Sequence, residues 1–173
     1  MRLGKYMIMI VLLMLLACGE RPKQVVGTPP KEEMKSSMEK ANRYLLNEEA
    51  QEINNYVTRH GLNMEATGSG LRYQIIRQGN GPTIEKGQQV VLDYELHSIT
   101  GELLYSSEKD GVKAFKVGDG SVESGLDEAM THLHYGDVAK LIIPYHLGYG
   151  LHGDDNRIPE CATLIYSIKI NKQ

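Results

Sequence analysis

The sequence predicts an α+β protein, an antiparallel sheet wrapped around one short helix and preceded by an N-terminal helical extension. Three observations carry that class. Apolar residues follow a helical period up to Gly61 and an alternating one after it. Gln89 to His97 (QVVLDYELH) alternates cleanly, with Val90, Leu92, Tyr94 and Leu96 on one face and Val91, Asp93, Glu95 and His97 on the other. Val122 to Leu133 then returns to helical spacing through Val122, Leu126, Met130 and Leu133.

Residues 1–17 read as a targeting segment rather than as part of the fold. Arg2 and Lys5 form a basic start, and the apolar run Met7 to Ala17 is too short to stay in a bilayer as a spanning helix. Leu15-Leu16-Ala17-Cys18 resembles a bacterial lipobox, which implies cleavage before Cys18 and a lipid on its sulfur. The protein would then sit in the bacterial cell envelope, tethered to a membrane on its periplasmic side or at the outer surface. An ordinary signal peptide and an uncleaved anchor are the competing readings. Residues 18–30 (CGERPKQVVGTPP) are a Pro/Gly-punctuated linker.

The helical extension covers residues 31–61. Met34, Met38, Ala41, Leu45 and Glu48 fall along one side with Tyr44 beside them, and Glu49, Ile53, Tyr56 and Val57 continue at helical spacing. Asn47, with Glu48 and Glu49 behind it, could restart a helix, so the pattern fits one helix or two meeting at a bend. Gly61 is a stop signal. The apolar side is thin, so it should pack on the domain or on a second copy, as a homodimer through the N-terminal helix.

Residues 62–173 form the main domain. Leu71 to Arg77 alternates, Gly79-Asn80-Gly81-Pro82 turns, and Gly101 closes a hairpin between the Gln89 strand and Leu103 to Ser107. Val138 to Ile143 and Ala162 to Ile170 are rich in β-branched residues and read as strands, with Cys161 at the opening of the last as a small buried hydrophobe.

Loss of residues 1–17 removes Arg2 and Lys5 and leaves 17 basic against 22 acidic groups. With no basic stripe and no interleaved Arg–aromatic pattern, nucleic acid is not expected as a partner. His132, His134, His146 and His152, with Asp154 and Asp155, raise a metal reading, but no histidine pair has i,i+4 spacing, so packed or solvated histidines are expected and no metal or cofactor. Glu123, Asp127 and Glu128 near the start of the short helix read as partners of its dipole.

From Gly118 to Tyr166 the chain resembles, collinearly and without a gap, the C-terminal half of an FKBP-type peptidyl-prolyl cis-trans isomerase. The likeness implies an FKBP-like fold over roughly Gly68 to Asn171. It implies a substrate cup as well: Tyr94 as one wall, Leu104 where the family has phenylalanine, and Phe115 near another wall. Val122 and Glu123 stand where a backbone N–H holds a substrate carbonyl. Leu126 would be the floor, Tyr149 the ligand-bonding hydroxyl, Ile158 the flap residue and Tyr166 the aromatic of the last strand. Tyr105 replaces an aspartate that orients a buried hydrogen-bond network, and the flap Asp154-Asp155-Asn156-Arg157 is unusually polar. Lipobox, linker, helical extension and this domain together resemble the FKBP-like lipoproteins associated with gliding motility in Bacteroidetes.

The resemblance implies isomerisation of X-Pro bonds in exported proteins, with proline-containing segments as partners and a reduced rate. Such a reaction needs a dry, gripping pocket rather than a nucleophile or metal. Its rival is a non-enzymatic chaperone or peptide-binding module serving a motility or secretion assembly. A metal carrier is a third reading.

Overall fold

The computed structural model of the chain describes residues 31–171, so the targeting segment 1–17, the lipid site Cys18 and the linker 18–30 lie outside the described residues. The chain divides into two units at Lys40/Ala41. In the first, the described residues 31–40 are helical and exposed, Met34 and Met38 among them. The second carries the sheet and the site.

Helix α1, Lys31–Arg59, is one uninterrupted element, and Asn47 lies inside it without restarting it. Its end is a Schellman closure: Leu62 N–H reaches Val57 O at 3.0 Å and Gly61 N–H reaches Thr58 O at 3.2 Å. Gly61 adopts φ 59°, the left-handed conformation that closure requires.

Seven strands follow: β1 (Glu65–Ala66), β2 (Arg72–Arg77), β3 (Gln89–Ser98), β4 (Leu103–Ser106), β5 (Lys113–Lys116), β6 (Val138–Ile143) and β7 (Leu164–Ile170). They form one antiparallel sheet in the order β1-β2-β6-β7-β3-β4, with β5 also paired to β3. Two short helices interrupt them, α2 (Ser107–Asp110) and α3 (Ser124–Met130), and a 3₁₀ turn spans Tyr145–Leu147.

The sheet is covered on both faces at its centre. Leu126, Ala129 and Met130 of α3 join the main core with Leu92, Leu96, Leu141, Ile143, Leu164 and Tyr166. Ile142 and Ile165 point the other way and meet Ile53 and Tyr56 of α1. A strand buried on both faces should read as a continuous apolar run, which is why Leu141-Ile142-Ile143 shows no alternation. Burying Ile53 and Tyr56 contributes roughly 1.5–3 kcal/mol each. Met34, Met38, Tyr44 and Leu45 stay exposed, so the buried side of the helix is the Glu49–Ile53–Tyr56 row.

Three readings are corrected. Cys161 is exposed on a turn at φ 52° rather than buried in a strand, because the last strand begins only at Leu164. The short helix spans Ser124–Met130 and not Val122 to Leu133, since Glu123, at φ −54° and ψ 136°, is its non-helical N-cap and Thr131 its C-cap. Glu123 is no dipole partner at the surface: its side chain is 3% exposed and bonded inside the protein.

Candidate functional site

The residues expected to form the cup come from β3, β5, β7, the entry to α3 and the segment after β6. Period-2 alternation sends Tyr94 of β3 and Lys113 and Phe115 of β5 inward, the latter two because they are two residues apart. Tyr94, Leu104, Phe115, Leu126, Ile158 and Tyr166 belong to one buried cluster, with Tyr105, Val122 and Tyr149 packed on it. Leu126 and Tyr166 are fully buried, and the rings of Tyr94 and Tyr166 lie 6.0 Å apart. Helix α3 can approach this closely because residue 125 is glycine: a Cβ there would stand 2.5 Å from a methyl of Ile143.

At the centre is a charged pair. Lys113 Nζ stands 3.2 and 3.3 Å from the two carboxylate oxygens of Glu123 and donates to the Tyr166 hydroxyl at 3.2 Å. It also lies over the rings of Tyr94 and Tyr166, 5.4 and 5.6 Å from their centroids. The Tyr166 hydroxyl donates to Glu123. Burial opposes ionisation of Glu123, yet the Lys113 charge and the Tyr166 bond outweigh it and hold the carboxyl below the ordinary glutamate range. Burial first, then the neighbouring Glu123 charge, pushes the phenols of Tyr149 and Tyr166 well up, so both remain protonated donors.

A second network sits at the flap. Tyr105 donates its hydroxyl to Asp154, and Asn156 Nδ2 donates to Tyr105 at 3.2 Å. The other Asp154 oxygen accepts the backbone N–H groups of Asn156, Arg157 and Ile158 at 3.0, 2.9 and 2.7 Å. Arg157 stacks 4.0 Å over the Tyr105 ring, forks onto Asp110 at 2.6 and 3.2 Å, and donates to Leu104 O at 3.0 Å. Gly153 at φ 73° permits the tight turn, where a Cβ would stand 2.0 Å from Ile158 O. The phenol at 105 and the polar flap are therefore two halves of one device. The carboxylate that a phenol cannot supply comes from Asp154 and Asp110 instead. The Arg157 bonds hold Asp110 below the usual carboxylate range, and the bond to Asp154 pushes the Tyr105 phenol up.

The structure places Glu123 against Tyr166 and Lys113, with Lys113 over the rings of Tyr94 and Tyr166. It sets Val122, Leu126, Tyr149 and Ile158 in or against the same core cluster, and puts Leu104 and Tyr105 in contact with Arg157 of the flap. Phe115 is 5% exposed, lies in the same buried cluster as Tyr94 and Leu126, and pairs with Val90. Lys113, two residues before it on the same face of β5, is the residue that reaches Glu123 and Tyr166. Sequence reading missed Lys113, although its spacing from Phe115 in an alternating stretch was the available signal. It missed the Arg157–Asp110 partnership too, which local pattern does not encode. The histidines are used elsewhere: His132 stacks on Tyr73 and His134 lies 3.6 Å from Asp137. Among the described residues no cluster of His, Cys, Asp or Glu could hold a metal ion.

The family model for FKBP-type peptidyl-prolyl cis-trans isomerases matches residues 81–171. The chain is 32% identical over 108 residues to FK506-binding protein 1 of Gibberella zeae, covering 60% of this chain and 97% of that one. It is 32% identical over 104 residues to the FK506-binding protein of Neisseria meningitidis serogroup B, covering 60% and 95%. The crystal structure of AtFKBP13 superposes with a TM-score of 0.59 at 27% identity, over 62% of this chain and 95% of that chain.

Proposed function

This chain belongs to the FKBP-type peptidyl-prolyl cis-trans isomerase family, and from that premise we propose that its proline site is the tyrosine-walled cup over Leu126. A bound proline ring would meet Val122 and Tyr149, the partly exposed residues packed on the cluster, with Tyr94 and Ile158 behind them and Leu126 beneath. Rotation of the X-Pro amide is slow because the C–N bond has partial double-bond character, with a barrier of about 18–20 kcal/mol. The twisted amide has lost resonance and is less polar than the planar one, so dry walls and a few fixed donors favour it. The Tyr149 hydroxyl and the backbone N–H of Glu123 are the donors that would grip the peptide carbonyls. The second survives any side chain but proline at 123.

The observation that carries this reading is that Tyr94 and Tyr166 share one buried cluster with Leu126 and Ile158, with Tyr149 and Val122 packed against it. The Glu123 carboxylate already engages the Tyr166 hydroxyl, so we expect a low basal rate. Isomerisation of a short X-Pro peptide by the purified mature domain tests the site. We expect acceleration above buffer that Tyr149→Phe reduces about tenfold. A folded domain with no acceleration rejects it.

We assign the reaction to exported proteins in the cell envelope, on the strength of Leu15-Leu16-Ala17-Cys18 and the linker behind it. Polar flap, helical extension and lipobox together support kinship with the gliding-motility lipoproteins. Incorporation of labelled palmitate into the wild-type chain but not Cys18→Ser checks the tether; an unlabelled wild-type chain removes it.

The charged pair inside the cup favours a second role, holding extended polypeptide without turning it over. Tyr94→Ala with Tyr149→Phe would then abolish isomerisation while protection of an unfolded client persists. Joint loss of both assigns them to one cup.

A further inference from the structure

Glu49 of α1 is buried at 8% exposure, and its carboxylate serves neither the cup nor the surface. One oxygen, Oε1, accepts the backbone N–H of Tyr145 at 2.7 Å and the hydroxyl of Thr163 at 2.6 Å. The other lies 4.0 Å from His146 Nδ1. Both short bonds are charge-assisted, the stronger class of hydrogen bond.

The location of those donors gives the carboxylate its meaning. Tyr145 opens the 3₁₀ turn Tyr145–Leu147, and the residue before it, Pro144, supplies no side-chain cap. The first N–H of a helical turn is unsatisfied unless something outside the turn accepts it. Glu49 does so from a different element. The turn then runs directly into Tyr149: Gly148 and Gly150 N–H both return to Tyr145 O, at 3.1 and 2.8 Å. Thr163, the other donor, immediately precedes β7, three residues before Tyr166. A single carboxylate therefore ties together the two segments that carry Tyr149 and Tyr166.

We propose that Glu49 is a positioning residue for isomerisation, setting the place of the Tyr149 hydroxyl through Tyr145 and its distance from Tyr166 through Thr163. This inference rests on the reading of Tyr149 given above. Glu49 lies outside the segment 81–171 that matches the family, so this contribution would come from the N-terminal helix. Misplacing a binding group by even ~1 Å can lower a rate by up to about a hundredfold.

The test is a double-mutant cycle on kcat/KM with the full mature chain and an X-Pro peptide, each variant assayed well below its unfolding midpoint. Glu49→Ala should lower kcat/KM about tenfold in the native background and less than twofold when Tyr149 is already phenylalanine. Glu49→Gln, which keeps a carbonyl acceptor, should recover most of the loss. Amide exchange at residues 145–150 should speed up in Glu49→Ala and not in Tyr149→Phe. An equal fold-loss in both backgrounds, or unchanged exchange at 145–150, would make Glu49 a structural anchor only and overturn the proposal. If Tyr149→Phe alone leaves kcat/KM untouched, the cup reading is what fails, and this proposal falls with it. Should Glu49→Ala not fold, the same cycle is read with Glu49→Asp, which keeps the charge but is one methylene too short to reach Tyr145.

Discussion

The cup and the flap are built from the same three chemical types, a carboxylate, a cation and a phenol, yet they differ in how far each pair is buried. In the cup, Glu123 is 3% exposed and Lys113 21%. At the flap, Arg157 is 42% exposed and Asp110 19%. Desolvation makes the inner pair expensive to break, while water screens the outer pair and leaves it little net stability. The comparison teaches that a similar set of contacts acts as a lock where buried and as a guide where wet. The inner pair holds the Tyr166 hydroxyl, and the outer pair ties the Arg157 end of the flap to α2.

The sharpest attempt to break that contrast is Lys113→Met. It leaves the buried Glu123 carboxylate without its cation and should destabilise the domain by about 3 kcal/mol in urea unfolding at neutral pH. Lys113→Met with Glu123→Leu should lie within roughly 1 kcal/mol of wild type, because neither charge is then stranded. A double variant no more stable than the single one would mean the pair is not what matters.

Next in size is catalysis. Glu123→Ile keeps the backbone N–H at 123 and frees the Tyr166 phenol from the carboxylate. It should raise kcat/KM for an X-Pro peptide about tenfold, equivalent to ~1.4 kcal/mol. A fall instead would show that the carboxylate assists the reaction.

Acid provides a third handle. The folded-state pKa of Glu123 lies below its ordinary value of 4.5, so its stabilising contribution is complete above that value and is lost as pH falls through the folded one. Wild-type Tm should drop as pH is lowered from about 4.5, and Glu123→Gln, which cannot titrate, should show a shallower drop. Parallel curves would assign the acid sensitivity to other groups, Asp154 and Asp110 first among them, since both are also held low.

The smallest effect belongs to the flap. Arg157→Ala should leave the unfolding midpoint almost unchanged and raise KM about threefold with kcat nearly constant, through a less ordered Ile158. A large stability loss would erase the distinction between the two regions.

Much of the architecture was legible in the chain because it is written locally. Alternation placed Val90, Leu92, Tyr94 and Leu96 on one buried face, and Gly61 marked the end of α1 through a conformation that glycine adopts freely. The run Leu141-Ile142-Ile143 marked a strand, though not that its two faces would meet different helices. Cys161 was misread because an apolar sequence at 162–170 says nothing of the positive-φ turn that precedes it.

Sequence alone determined the α+β class and the succession of its main strands along the chain, because period and turn chemistry act over a few residues. The set from Tyr94 to Tyr166 came instead from the family resemblance. Only the tertiary structure decided which charges meet. Lys113 and Glu123 are ten residues apart, Asp110 and Arg157 forty-seven, and Glu49 and Thr163 one hundred and fourteen. Partnerships of that kind depend on which faces the folded sheet brings together and how far water is excluded from them. Neither is a property of any window of residues.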